Sequence, residues 1–453
     1  MLSCAKSAED NINDNVAYTN DAIDEGVGNT NDNLEDILED NNDTALDLED
    51  ALTGGGGSNG GGGSNDSGGG SDDDTPIIHT KFVKDIILLG EEYCDSKDKE
   101  LGITICFAED YCDVDVDIKQ TDDGGYIIAG CKDDSAWLIK TDVYGEKQWE
   151  KTYGLGDYSA NRTVIQTSDG GYLFAGWEGV LKTDSSGTKL WQKKGVPGNT
   201  GQNPYYEDVI EHSNGNYYLV GGPVGEQAIM VKISPTGSVL KTKFYGTSCA
   251  DDLFRSIIES NDGKLIMVGE KTHGSPSLTC SFYFRYYKNI WVVKTGPKNG
   301  AVIWDKDYGG PYLEKGMDIV RRDSDGYIVL GQKCHHGDKI KECGPITKAV
   351  ILKLNEEGDK LNENLLPGLS FREWGRAMAL ANTHSGGYVF VTEPRDAKKN
   401  LWIKKWGSNE KNEDIKISLG SLGGRSIMRT NDNGFIISTT GGTIIKTDSN
   451  LSY

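Results

Sequence analysis

The chain has 453 residues, room for two or three average domains or one large repeat domain, and a formal charge of −23. Residues 1–77 hold 19 Asp and Glu against Lys6 alone, so only −5 of that charge belongs to residues 78–453. There is no basic stripe of the kind nucleic acid requires, and no apolar run approaches the roughly 18 residues of a membrane-spanning helix.

Residues 1–77 are rich in Asn, Asp, Gly and Ser and nearly lack aromatics. Such a segment cannot bury enough apolar surface to offset its ordering entropy, so it reads as a disordered acidic tether. Its stretch "TGGGGSNGGGGSNDSGGGSDDD" (53–74) is a flexible spacer. Leu34, Ile37 and Leu38 have helical spacing, but the surrounding charge favours disorder there too. Cys4, in "MLSC", stands apart from the other cysteines and precedes this long polar spacer. The arrangement resembles the lipidated cysteine of bacterial lipoproteins, which implies a lipid anchor at Cys4 as the one membrane attachment.

From residue 78 onward the chain is repetitive. A strand, "TKFVKDIILLG" (80–90), and a long loop (91–113) come first. Seven copies of one phrase follow, with turns "DDGGY", "SDGGY", "SNGNY", "NDGKL", "DSDGY", "HSGGY" and "NDNGF" ending at Tyr126, Tyr172, Tyr217, Leu265, Tyr327, Tyr388 and Phe435. Each turn joins two short apolar strands, and a third strand such as "AWLIKTD" or "GVLKTD" comes next. A fourth, such as "EKQWEKTYG", closes most copies. Asp-Gly, Asn-Gly and Gly-Gly between apolar runs are hairpin signals, since glycine supplies the positive φ of a two-residue turn. Four antiparallel strands repeating every 45–50 residues or so predict propeller blades. The expected fold is therefore all-β, a seven-bladed propeller over 78–453. The last copy stops without a fourth strand, so the 80–90 strand is expected to complete the last blade and close the ring.

The phrase "DGGYxxAG…WLIKTDxxGxxxWxKxYG" is similar to the DGGY repeats of bacterial secreted and lipoprotein β-propellers. It also resembles the quinoprotein-type repeat, in which Asp-x-x-Thr-Gly precedes a Trp; Trp149, Trp191 and, more loosely, Trp304 stand there. "ISPTGSVLK" and "LNEEGDKLN" lack that Trp. The tryptophans read as packing between blades. The resemblance implies a cell-envelope location, as an outer-membrane or cell-surface lipoprotein or else a secreted protein.

Strand order puts the DGG and KTDxxG turns on the bottom face and the irregular loops on top, where function is expected. Cys94, Cys106, Cys112, Cys131, Cys249, Cys280, Cys334 and Cys343 lie in or beside the top loops. An even set in such loops suggests disulfides and an oxidising compartment. Loop topology suggests Cys94–Cys131, Cys106–Cys112, Cys249–Cys280 and Cys334–Cys343. The stretch "CHHGDKIKEC" also has zinc-ligand types in His335 and His336, but adjacent histidines point apart and oxidation consumes the thiolates, so a stapled loop is favoured.

Ten places before each turn aromatic, the residue opening the inner strand reads Val116, Arg162, Glu207, Arg255, Met317, then, allowing two extra residues, Arg376, then Arg425. Four arginines around one mouth suit a carboxylate, sulfate or phosphate. Alternatively each pairs with a nearby acid such as Asp157, Asp251 or Glu373. Aromatic top-loop residues (Tyr158, Tyr205, Tyr206, Phe282, Tyr283, Tyr286, Tyr287, Tyr312, Trp374) suit stacking on sugars or anchoring a partner. No Gly-x-Ser-x-Gly, His-Glu-x-x-His or phosphate loop occurs, the sialidase Asp-box is not met, and no cofactor or metal is implied. The expectation is a monomeric, surface-tethered, non-enzymatic propeller binding a glycan or a cell-envelope protein through its top face. The alternatives are a glycan-processing hydrolase or lyase at the channel mouth, and a scaffold subunit of an envelope complex.

Overall fold

In the computed structural model of the chain, the described residues are 87–89, 105–107, 116–132, 135–154, 163–176, 179–194, 205–222, 227–247, 250–273, 287–310, 313–322, 326–334, 347–365, 376–393, 401–406, 412–417, 424–439 and 444–451. All of them belong to the unit Ile78–Tyr453. The expected tether and Cys4 lie outside them.

Blade 1 shows how the sequence makes each sheet. Its strands Asp117–Gln120, Tyr126–Lys132, Ser135–Thr141 and Lys147–Tyr153 pair in sequence order, all antiparallel. Five further sheets repeat this order, and the seventh has three strands among the described residues, Gly424–Arg429, Phe435–Thr439 and Ile444–Thr447. The two middle strands of blade 1 are buried along nearly their whole length, whereas the fourth is largely exposed. A strand buried on both faces needs a neighbour on each side, and the period of two assigns alternate residues to each neighbour. Ile127 and Ala129 pack with Val164 and Phe174 of blade 2, while Ile128 packs with Ile436 and Ile444 of blade 7. Seven such clusters fill the seven gaps between consecutive blades. The first strands of all seven blades contact one another in a closed ring. This is a seven-bladed β-propeller.

Closure differs from the sequence expectation. Of the 80–90 strand, Ile87–Leu89 pairs in parallel with Ile105–Phe107 in a separate two-stranded sheet, and no fourth strand joins blade 7 among the described residues. The intervening segment is long enough for the crossover that a parallel pair requires, and this pairing engages the triplets "ILL" and "ICF" with each other. Blades 7 and 1 instead meet through side chains. Ser438 Oγ donates to the Val116 carbonyl at 2.9 Å, and the Asn431 N–H donates to Gln120 Oε1 at 2.7 Å.

The tryptophans pack between blades, as their place in the repeat suggests. Trp149 lies against Gly187 of blade 2, Trp191 against Gly237 of blade 3, and Trp304 against Gly358 of blade 5. Trp191 Nε1 donates to the Pro235 carbonyl at 2.8 Å, and Tyr153 and Tyr245 hydroxyls donate to the carbonyls of Gly187 and Gly300. Gly237 has φ +84°, and a Cβ there would stand 2.7 Å from the Trp191 ring. Gly170 has φ +78° but open space around it. Gly170→Ala should therefore cost only the left-handed backbone term, about 1–2 kcal/mol. Gly237→Ala adds an overpacking term and should lose about 1–3 kcal/mol more. Urea unfolding of the two variants checks this; equal losses would mean that the ring does not constrain the turn.

Candidate binding site at the channel mouth

The bottom turns are built by a contact that recurs from blade to blade. In blade 1, Asp123 accepts from the Gly125 N–H at 3.0 Å, and Lys140 from the third strand reaches its carboxylate at 2.8 Å and the Thr141 carbonyl at 2.6 Å. Lys182 with Asp169 and Lys446 with Asp432 repeat this at 2.8 Å, and Lys294 with Asp262 at 3.0 Å. The lysines are almost fully buried and the aspartates about half exposed. Partial burial works against the charged Asp123, yet the Lys140 contact holds its carboxyl below the usual range. A Cβ at Gly125, Gly171 or Gly434 would stand 2.1–2.2 Å from the carbonyl oxygen of Thr141, Thr183 or Thr447, as well as within 2.8 Å of the lysine amine, which favours the second glycine in those three turns. These turns are structural.

Along the axis, the first strands carry Asp117, Thr163, Asp208, Ser256, Asp318, Ala379 and Ser426 in equivalent places. Each aspartate takes the N–H of its own following residue and one from the next blade: Val164 to Asp117 at 3.1 Å, Ile257 to Asp208 at 2.9 Å and Leu380 to Asp318 at 2.7 Å. Thr163 and Ser256 donate onward to Asp208 and Asp318 at 3.5 and 2.8 Å. A belt of hydrogen bonds thus runs unbroken from blade 1 to blade 6. Lys119 donates to Asp117 at 2.8 Å and is the cation facing these carboxylates; they hold its amine above the ordinary range despite burial. Burial pushes Asp208 up to about 7, against the Ile257 N–H and Lys119, and burial raises Asp318 as well.

One residue before this belt, a β-bulge interrupts the register. The extra residues are Glu207, Arg255, Met317, Met378 and Arg425. A bulge re-aims one side chain out of the ladder. Glu207, Arg255, Met317 and Arg425 share one register position, the one that the sequence assigns to the mouth. In blade 6 the bulge residue is Met378, and Arg376 opens the strand opposite Glu393. No insertion is needed once the bulge, rather than the residue type, sets the alignment. Arg162 lies outside the described residues, as do Tyr158, Tyr286, Tyr312 and Trp374. Tyr206 is fully buried between blades 2 and 3, because it sits on the ladder side of the bulge, and offers no surface to a ligand. Tyr287 begins the third strand of blade 4 and stacks on His273 at 5.0 Å, so it belongs to a strand rather than a loop.

The mouth over blades 3–5 holds a compact charged cluster. Arg255 Nη1 stands 3.8 Å from Glu207 and Nη2 3.5 Å from Glu270. Glu270 also meets Lys288 at 3.0 Å and Lys315 at 3.6 Å, and Lys288 reaches Asp251 at 2.7 Å. Three cations and three carboxylates balance. Against the cost of burial, Arg255, Lys315 and Lys288 hold Glu270 down at about 2. The charge is compensated, but the hydrogen bonding is poor: Arg255 Nε and Glu270 Oε2 are buried without a hydrogen-bond partner among the described residues. Arg425 is half-buried and has a partner of its own, so it is not a free cation. Sequence reading missed Glu270, Lys288 and Lys315. Glu270 and Lys288 come from the paired second and third strands of blade 4 and Lys315 from the start of blade 5, so strand pairing and the packing of two neighbouring blades bring them together.

Among the described residues no group of three or more His, Cys, Asp or Glu could hold a metal ion. Cys131 is disulfide-bonded. Cys94, Cys112, Cys249, Cys280 and Cys343, with His335 and His336, lie outside the described residues. Cys106 and Cys334 lie in strands.

No family model and no curated protein matches the sequence. Solved structures do resemble the chain. A streptogramin B lyase is 12% identical, with 76% of this chain and 95% of that one covered and a TM-score of 0.51. A catalytically inactive virginiamycin B lyase from Staphylococcus aureus with quinupristin is 14% identical, covering 76% and 97%, at 0.52. Kuenenia stuttgartiensis hydrazine synthase is 13% identical, covering 73% and 94%, at 0.52. At such identities the likeness shows the propeller fold alone.

The belt and the mouth respond to pH with opposite sign. Asp208 has a raised native value, so the folded chain binds its proton more tightly than the unfolded chain does. Its contribution to stability is lost as pH rises from about 4 to about 7. Glu270 has a depressed native value, so its contribution is present above about 4.5 and lost as pH falls toward 2. Urea midpoints between pH 3 and 8 should decline less from pH 4 to 7 in Asp208→Asn than in the parent. Glu270→Gln should lose about 3–5 kcal/mol at neutral pH, by leaving Arg255 and Lys288 short of their carboxylate.

Proposed function

We propose that the chain is a binding propeller that takes a polyhydroxylated ligand, a glycan, at the mouth over blades 3–5. The observation that carries this is the Arg255–Glu207 pair. It is raised to the mouth by two neighbouring bulges and ion-paired at 3.8 Å, outside hydrogen-bond distance, with both side chains partly exposed. Arg255 makes one hydrogen bond among the described residues, a long one of 3.5 Å to Glu270. A site that lacks charge compensation attracts an ion. A site that is compensated but short of hydrogen bonds suits hydroxyl groups, which donate to a carboxylate and accept from a guanidinium at once. An anionic ligand would have to displace Glu207 or Glu270 from Arg255, which argues against the four-arginine anion site. Glu270, held by Lys288 and Lys315, acts as the positioning residue behind Arg255.

The test is a glycan array followed by calorimetry on the best hit, with the sugar assayed by mass spectrometry after incubation. Arg255→Lys, which keeps the charge but loses the planar fork, and Glu207→Gln should each weaken binding by tenfold or more with the thermal midpoint little changed. Binding unchanged in both variants would overturn the site. A cleaved or eliminated product would overturn the binder reading in favour of a lyase or hydrolase at the same mouth.

A further inference from the structure

A second surface lies on the outermost strands, away from the mouth. The fourth strand of blades 1 to 5 carries a bulge at one position, and the extra residue is Gln148, Leu190, Leu240, Ile303 and Leu361 in turn. In blades 2–5 it is aliphatic and exposed, Leu190 at 56% and Leu240 at 48%. The strands of blades 2 and 3, Lys189–Lys194 and Val239–Tyr245, read "KLWQKK" and "VLKTKFY", five lysines without an acid. In the neighbouring blades, Lys306, the register counterpart of Lys193 and Lys243, pairs with Asp359 at 2.6 Å, Lys147 pairs with Glu150 at 2.7 Å and Lys360 with Glu363 at 2.6 Å. Lys151, the counterpart in blade 1, donates to the Ser186 carbonyl at 2.8 Å. Lys193, Lys194, Lys241 and Lys243 form no ion pair among the described residues. The cationic stretch is therefore local, in a region whose residues 78–453 sum to −5.

We propose that the outer edge of blades 2 and 3 docks an extended acidic segment of a partner protein. Both strands are sheet edges, so their outward backbone groups can accept another strand. Lysines on an edge ordinarily guard against self-pairing, but an edge guarded for that purpose alone would not also expose Leu190, Val239 and Leu240 beside them. The combination fits a strand whose residues alternate between carboxylates, for the lysines, and apolar side chains, for the bulge leucines. A sulfated polysaccharide or other polyanion would use the lysines and gain nothing from the leucines. This surface is independent of the glycan site.

The experiment uses the full chain and a fluorescent synthetic peptide of alternating Glu and Leu, with a Lys–Leu peptide as control and heparin as competitor. The Glu–Leu peptide should bind, weaken as salt rises, and lose tenfold or more in affinity in Lys193→Glu/Lys243→Glu and, separately, in Leu190→Asn/Leu240→Asn. Glycan binding should stay unchanged in both double variants, so failure here is distinguishable from failure at the mouth. No binding up to about 1 mM, equal binding of the control, or indifference to both double variants would overturn the proposal (a millimolar Kd is only about −4 kcal/mol). Binding that heparin abolishes and the leucine variant leaves intact would overturn it in favour of a polyanion surface.

Discussion

A four-stranded sheet whose middle strands are apolar on both faces has no stable existence alone. Ile127 and Ile128, adjacent in sequence, are both fully buried, and they are buried against different blades. Every sheet in the ring shares this condition, so each depends on two neighbours and the set is satisfied only when the circle closes. The glycines and tryptophans follow from the same demand. An indole can cover the seam between blades only where the facing turn has no Cβ, as Trp191 does on Gly237.

Around the axis, polar groups settle what the apolar cores leave open. Asp117, Asp208 and Asp318 stand on alternate blades and fasten each to the next by a backbone hydrogen bond. Ala379 holds the equivalent place in blade 6, where no side-chain acceptor or donor exists. The polar belt stops there, and the last seam, between blades 7 and 1, relies on an apolar cluster and on Ser438 and Gln120. Among the described residues, the belt of axial side-chain hydrogen bonds therefore ends at blade 6.

Bulges link this scaffold to the two proposed surfaces. One in the first strand aims Glu207 and Arg255 at the mouth, and one in the fourth aims Leu190 and Leu240 outward. A regular ladder would have placed those residues in a core or left them in register with a partner. The same departure, repeated at two radii, yields two surfaces of different chemistry: a charge-balanced cluster short of hydrogen bonds, and a cationic edge with apolar points. Because both rest on strands, their geometry is fixed by the ring rather than by loop conformation.

The repeat, its seven copies, the strand order and the role of the tryptophans were legible in the sequence, because a period of two and glycine-bearing turns are local properties of the chain. Local signals also placed Glu207 and Arg255 near the mouth. They could not show that Met378 takes the place assigned to Arg376, since a bulge is a property of two paired strands. Nor could they show that Tyr206 faces a core, or that Ile87–Leu89 pairs with Ile105–Phe107 instead of with blade 7. The Arg255–Glu270–Lys288–Lys315 cluster joins residues up to 60 positions apart, three from different strands of blade 4 and one from blade 5. Sequence determined that the chain must form such a ring; which charges meet at its mouth was decided only when strands paired and neighbouring blades packed, because strand register and blade contact, not local periodicity, set those distances.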